Sequence, residues 1–259
     1  PPVLAVVPAD VTVDCNAIPA PATVTASDAC DASVTPVFSE TSNLNGCGGY
    51  TGTITRKWVA TDDCGNKDSC LQTITVIDNT APVISSCPGN LSFQCASQVP
   101  PPSTAGVVAT DNCDATVTIT VARTSNGGTG CAGNPLIYTD TYTASDDCGN
   151  SSTCSRTITV IDNTAPVISC PVAASPIECP NAPVFPPATA TDACDATPTV
   201  TFSDVTTPGA CPQEYSVTRT WTASDDCGNS ASCSQTVVVQ DNTKPVLSGC
   251  PANTTVECG

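Results

Sequence analysis

The sequence has no histidine and only 7 Lys and Arg against 24 Asp and Glu, a net charge of −17. The missing histidine removes the commonest general base and the usual imidazole metal ligand. Scarce basic side chains argue against nucleic acid, whose phosphates need clustered Lys and Arg, and against anionic membrane surfaces. Aromatic residues make up only 4% of the chain, so a small unit has few rings to bury. No apolar run approaches the length of a membrane span. No signal peptide is present. The sequence begins at Pro1-Pro2 and stops just after Cys258 inside a repeat, so it is read as a portion of a longer chain.

What is present is a repeat. Asp62-Asp63-Cys64-Gly65-Asn66 returns unchanged at Asp146–Asn150 and Asp225–Asn229, after 84 and then 79 residues. Each copy is followed by a Thr/Val/Ile run ending in Asp-Asn-Thr, at Asp78, Asp162 and Asp241. A fixed period near eighty marks one structural unit copied in tandem. The expected divisions are 1–80, 81–164 and 165–243, with 244–259 as the first strand of a fourth, incomplete repeat.

Units of this size bury modest cores and usually need disulfides or metals. The 19 cysteines supply that help and point to an oxidising, extracellular or cell-surface setting. Zinc is disfavoured, because there is no His and no paired CxxC knuckle.

No segment has a helical period. Short Thr/Val-rich strands between Pro, Gly, Asn and Asp argue for an all-β fold of tandem sandwich repeats. Strands are expected at Val11–Val13, Ala22–Ala26, Val34–Phe38, Tyr50–Ala60 and Leu71–Ile77 in the first repeat, with counterparts in the others. Gly65, Gly149 and Gly228 sit where a tight turn needs positive φ. Trp58, Tyr142 and Trp221 hold one position and should be each unit's main core ring. Arg56 and Arg219 share their strand parity, which parity alone leaves unexplained.

The order Cys-Pro, Ala-Thr-Asp, a long strand into Asp-x-Cys-Gly-Asn, a further Cys and a last strand ending in Asp-x-Thr-x-Pro resembles the hyalin-repeat (HYR) family. It is most similar to the cysteine-richer form in surface proteins of Bacteroidota. The resemblance recurs three times over nearly the whole chain. It implies disulfide-stapled immunoglobulin-like β-sandwiches arranged end to end, extracellular placement and a role in adhesion or assembly, and it brings no catalytic residues.

Cysteine connectivity is open from sequence alone. The proposed sandwich narrows it. Loops at the upper end of each unit should meet, giving Cys30–Cys64, Cys113–Cys148 and Cys194–Cys227. First and last strands should join through Cys87–Cys154 and Cys170–Cys233. The lower ends should join through Cys15–Cys47, Cys95–Cys131 and Cys179–Cys211. Val7 stands where the second repeat has Cys87, which leaves Cys70 without a partner. Cys70, Cys250 and Cys258 are therefore expected to be unpaired or intermolecular, the sharper version being a tail strand donated to another molecule.

The linkers carry acidic residues toward acidic loops. Asp78 and Asn79 leave the first repeat beside Asp111, Asp114, Asp146, Asp147 and Asn150. Asp162 and Asn163 do the same beside Asp192, Asp195, Asp225, Asp226 and Asn229. Converging oxygens suit Ca²⁺; turn capping is the competing explanation. Asn90, Asn150 and Asn253 begin N-glycosylation triplets, and the many Ser and Thr offer O-linked sites.

Two functions fit. One is a structural rod or filament segment, self-associating, such as a fibril, pilus-like fibre or surface stalk. The other is a surface adhesin that binds glycans or a protein through the variable turns Asn43–Gly49 and Ser125–Gly133. An enzyme is disfavoured, since the acidic pairs recur and lack the unlike environments that acid–base chemistry needs.

Overall fold

The structure, a computed structural model, describes residues 1–249 and Val256. Cys250, Asn253 and Cys258 lie outside the described residues, as does most of the expected fourth-repeat strand.

Six strands recur in the same order in each repeat. The first has β1 Val3–Ala5, β2 Val11–Asp14, β3 Thr25–Ser27, β4 Val37–Gly46, β5 Thr51–Thr61 and β6 Lys67–Ile77. The second has β7 Val83–Ser86, β8 Leu91–Phe93, β9 Val108–Thr110, β10 Thr118–Ser125, β11 Leu136–Ser145 and β12 Ser151–Val160. The third has β13 Val167–Ser169, β14 Ile177–Glu178, β15 Thr189–Thr191, β16 Thr199–Pro208, β17 Tyr215–Ser224 and β18 Ser230–Gln240. The expected strand Val34–Phe38 proves to be the much longer β4, and the last strand starts four residues before Leu71. β4 runs through Thr, Ser and Asn, and every residue of it but Leu44 is exposed.

Each repeat is a sandwich of a four-stranded and a two-stranded sheet, β2-β6-β5-β4 with β1-β3 in the first. The edge strand β2 lies parallel to β6, and β14 parallel to β18; β4–β5, β5–β6, β16–β17 and β17–β18 are antiparallel. Alternation fills the thin interior from the central strands. Ile54, Ile74 and Val76 form a cluster flanked by Val11, Val13, Cys15 and Leu44. Trp58, Tyr142 and Trp221 are 3, 0 and 2% exposed. Gly65, Gly149 and Gly228 have φ of 83, 92 and 85°, in the region that other residues enter at a cost.

The arginine parity now has a physical account. Arg56 pairs across strands with Glu40, and Arg219 with Asp204. Arg56 Nε donates to Glu40 Oε2 at 2.7 Å, and Arg219 makes two 2.7 Å bonds to Asp204. The second repeat reverses the poles: Arg123 faces Asp140.

The chain divides into two compact units. One holds Pro1–Ser92, Val99–Gly128 and Leu136–Thr159; the other holds Phe93–Gln98, Thr129–Pro135 and the chain from Val160 onward. The cut passes through the second repeat. Its upper end belongs with the first repeat, and its lower end with the third.

Candidate functional site

Strand direction gives each repeat two chemically distinct ends. At the upper end lie the loop after β3 (Ser27–Asp31) and the Asp-Asp-Cys-Gly-Asn turn between β5 and β6. At the lower end lie the cysteine after β2 and the glycine-rich turn after β4. The six disulfides sort by these ends.

In the first unit, Cys15 is bonded to Cys113 and Cys47 to Cys148, with Cα–Cα separations of 5.8 and 4.8 Å. In the second unit, Cys95 is bonded to Cys194 and Cys131 to Cys227, each at 5.0 Å. All four tie the lower end of one repeat to the upper end of the next. Cys87–Cys154 and Cys170–Cys233 lie within a repeat, at 6.4 and 6.0 Å.

The expected Cys15–Cys47, Cys95–Cys131, Cys113–Cys148 and Cys194–Cys227 pairs are thus replaced. Sheet order is the reason. β2 and β4 occupy opposite edges of the four-stranded sheet, three strand spacings or about 14 Å apart, and the cysteines follow those strands. A disulfide spans at most about 7 Å between Cα atoms. The upper-end cysteines instead meet those of the preceding repeat, which a linker of a few residues brings within reach. The expected Cys30–Cys64 and Cys179–Cys211 bonds are absent: Cys30, Cys64, Cys70, Cys179 and Cys211 are unpaired among the described residues.

Most acidic groups at the junctions cap turns. Asp146 holds Asn150 through its backbone N–H and its side-chain amide, both at 2.8 Å. Asp225 holds Asn229 in the same way. Asp114 accepts from Thr116 and Asp147 backbone N–H groups, and Asp195 from Thr197 and Asp226. The Asn150 amide also donates to the Asp78 carbonyl at 3.3 Å, and the Asn229 amide to that of Asp162 at 3.4 Å. A glycan on Asn150 would take one of the two amide hydrogens and so break one of these contacts. Asn90 is exposed, with its oxygen on the Thr157 N–H. Asn79 is exposed, and the Asn163 N–H donates to Gln94.

A smaller acidic set faces into each junction. Ligand atoms of Asp78, Asp111 and the bridged Cys113 lie within 4.8 Å of one another, as do those of Asp162, Asp192 and Cys194. Asp78 and Asp162 are 8 and 5% exposed. Asp111 uses one oxygen to cap the Cys113 and Asp114 N–H groups, while Oδ2 is buried without a partner. Burial pushes the Asp78 carboxyl above the usual range, and the charges of Asp111, Asp146 and Asp14 push it further.

Asp14 was missed in the sequence. It accepts from the Asn112 amide and the Thr80 hydroxyl. The signal was positional: the residue before each lower cysteine is Asp14, Gln94 or Glu178, and each takes hydrogen bonds from its own linker.

The glycine-rich turns are part of the junctions. They carry Cys47 and Cys131 into the inter-repeat bridges. Gly48 sits at φ +67°, which other residues rarely adopt, and a Cβ there would stand 2.7 Å from Asp147 Oδ2.

Residues 4–76 match the family model described as HYR-like domain with 4 cysteines. No curated protein matches the sequence. Among solved structures, the chain is similar to protocadherin gamma B2 extracellular cadherin domains 3–6, at 14% identity, 93% of this chain, 73% of that chain and a TM-score of 0.35. It is similar to Drosophila N-cadherin EC1–4 at 14% identity, 93% and 76% coverage and a TM-score of 0.32. For mouse protocadherin-24 EC1–3 the values are 15%, 90%, 96% and 0.34. The family model matched by the first repeat and the disulfides support a cysteine-rich extracellular repeat.

Proposed function

We propose that the chain is a segment of an extracellular rod or filament, in which the repeats are spacers locked to one another. The observation that carries this reading is the pair of inter-repeat disulfides at each junction. A peptide linker alone leaves a hinge. Two further covalent ties, following strands about 14 Å apart in the sheet, oppose both bending and twisting. The adhesin alternative placed recognition in the two glycine-rich turns, and those turns are engaged in the junctions.

The test is small-angle scattering on the oxidised chain and on a variant with Cys47→Ser and Cys131→Ser, which leaves one bridge per junction. The reading expects a single, well-defined maximum dimension for the parent chain and a broadened distribution for the variant. Equal flexibility in both would sink it.

A second element is a hard cation at the first junction, held by Asp78 and Asp111 with Asp14 beside them. Its support is the partnerless buried Oδ2 of Asp111 next to a buried, destabilised Asp78. These residues suit Ca²⁺ by donor type, and water would complete a shell of six to eight oxygens. The wider expected set narrows, because Asp114, Asp146, Asp195 and Asp225 have both oxygens engaged. If calcium and a chelator give the same melting temperature in the parent and in Asp111→Asn, the cation falls and the rod reading remains.

A further inference from the structure

The three repeats do not guard the same sheet edge equally. β4, β10 and β16 are the edge strands of their four-stranded sheets. Such a strand presents a row of unpaired N–H and C=O groups, which proteins protect with bulges, charges or short length. β4 is broken by a register shift between Asn43 and Gly46. β10 has 8 residues. β16 runs for 10 residues, Thr199–Pro208, in unbroken register with β17. Its one charged side chain, Asp204, is held by two 2.7 Å bonds from Arg219, so the edge is locally neutral.

The ladder fixes which groups are free. The Gly209 N–H donates to the Glu214 carbonyl, in the same register as the strand pairs. Bonded and non-bonded residues alternate along an antiparallel pair, so the odd-numbered residues of β16 face β17. Val200, Phe202, Asp204 and Thr206 therefore point their N–H and C=O groups outward, and among the described residues nothing bonds to them. By the same alternation the outward row of β4 contains Glu40, and that of β10 contains Arg123.

A proline closes the row on each side of β16, Pro198 just before it and Pro208 at its end, and neither has an N–H. The four donors and the two prolines are symmetric about Ser203. We propose that β16 is a self-pairing edge. Two copies of the chain join their four-stranded sheets antiparallel through β16, with Ser203 on the two-fold axis. Val200 of one copy then pairs with Thr206 of the other, and Phe202 with Asp204. Each pair exchanges two hydrogen bonds, and every free donor is used. Pro198 falls opposite Pro208. A shift of two residues either way sets a proline against Thr206 or Val200 and leaves that carbonyl without a donor. One of the two shifts also puts Asp204 opposite Asp204, a like-charge pair.

Charge and exposure agree with a second copy as the occupant. The chain carries −17, so two copies repel over most of their surface, and β16 is a stretch where that charge is cancelled. In the symmetric register Val205, 63% exposed, lies opposite Thr201, a β-branched pair of the kind that stabilises sheets. Phe202, 60% exposed, is stacked 3.9 Å from its own Arg219 guanidinium and comes opposite the second copy's Asp204. The equivalent register in β4 would set Glu40 against Glu40. The contact uses one patch on both copies and closes at a dimer. It goes beyond the rod reading and does not depend on the bridges between repeats.

The experiment uses the full 259-residue chain with its disulfides intact and its free thiols capped by N-ethylmaleimide. Sedimentation equilibrium over a concentration series should show a monomer–dimer equilibrium that non-reducing SDS dissolves. Added salt should strengthen it, because screening weakens the repulsion between acidic chains. The Thr206 N–H faces outward, so Thr206→Pro removes a donor from the edge and none from the β16–β17 ladder. The symmetry deletes two hydrogen bonds at once, and the dimer should weaken about tenfold or more. A cross-link tests the register without relying on that variant. Ser203 meets its own counterpart as a non-hydrogen-bonded pair, with Cα atoms about 4.5 Å apart, within disulfide range. Mild oxidation of uncapped Ser203→Cys should give a peptide bonded 203 to 203, whereas Val205→Cys should give no 205 to 205 bond. A chain monomeric at every concentration, a dimer undiminished in Thr206→Pro, association that salt weakens, or a bond at 205 as ready as at 203 would each overturn the proposal. So would a monomer whose β16 amides resist hydrogen exchange, since another part of the same chain would then cover the edge.

Discussion

The first and second repeats share strand order, turn and core position, yet they are held together differently. The second has its own bridge, Cys87–Cys154, where the first has an unpaired Cys70 and Val7. The second encloses a triad in which Arg123 and Arg156 both bind a fully buried Asp140. The first uses a simple pair, with Arg56 buried and Glu40 at 38% side-chain exposure. The second repeat has a tyrosine as its core ring and the first a tryptophan. What the sandwich requires at the charged position is therefore a cross-strand pair, and the sign on each strand is free to change. Fully burying the carboxylate demands a second cation, which Arg156 provides where the first repeat has Gln72.

The largest expected difference concerns the private bridge. Cys87 and Cys154 close a loop of 67 residues, which the chain-entropy model values at about 4 kcal/mol. Replacing both with serine should lower the stability of the second repeat by up to about that amount in urea unfolding. Cys70→Ser in the first repeat should change stability by less than about 1 kcal/mol. Equal losses would show that the bridge is not what separates the two repeats.

Next comes the triad. Asp140→Asn leaves two guanidinium groups facing a neutral amide in a closed space, and breaking such a buried pair costs about 3 kcal/mol or more. Glu40→Gln in the first repeat should cost clearly less, because Glu40 is partly in water. The two variants should also differ with pH. Arg123, followed by Arg156, holds the Asp140 carboxyl below the ordinary carboxylate range. A lowered carboxyl contributes stability above its unfolded value, and that contribution is lost as pH falls through the folded value. Acidification below about pH 4 should therefore loosen β11 and β12 in hydrogen exchange. Asp140→Asn should flatten that acid dependence, and an unchanged acid profile would refute the assignment.

Much of this was legible from the residues, though unevenly. Five of the first repeat's six strands, the ring positions and the glycines at Gly65, Gly149 and Gly228 follow from local pattern and turn chemistry; the short opening strand β1 was not anticipated. The cysteine partners do not. In a tandem array every lower-end cysteine has an upper-end counterpart both in its own repeat and in the next, and sequence spacing fits either choice. Only the placement of β2 and β4 on opposite edges decides between them. The arginines were opaque for a related reason. Parity fixes the face of Arg56, but cross-strand register is needed to set Glu40 opposite it. Asp111 and Asp78 were recognisable as neighbours. That their companions Asp114 and Asp146 would be fully engaged in turns depended on loop geometry that no count of carboxylates reveals.

The smallest expected effect lies at the ring and runs in the stabilising direction. The Tyr142 hydroxyl is buried without a hydrogen-bond partner, and the residue is 0% exposed. A buried, unpaired hydroxyl carries a desolvation penalty of about 1 kcal/mol or more. Tyr142→Phe keeps the ring volume and removes the stranded group, so the second repeat should become more stable by up to about 1 kcal/mol. Arg156 stands 6.0 Å from the ring centroid, and that contact survives the change because it uses the ring face. Trp58→Phe in the first repeat leaves a cavity instead and should destabilise. Putting phenylalanine at the ring position would then act with opposite sign in the two repeats. A loss of stability in Tyr142→Phe would mean that the hydroxyl has an ordered water partner and that the two cores are more alike than their rings suggest.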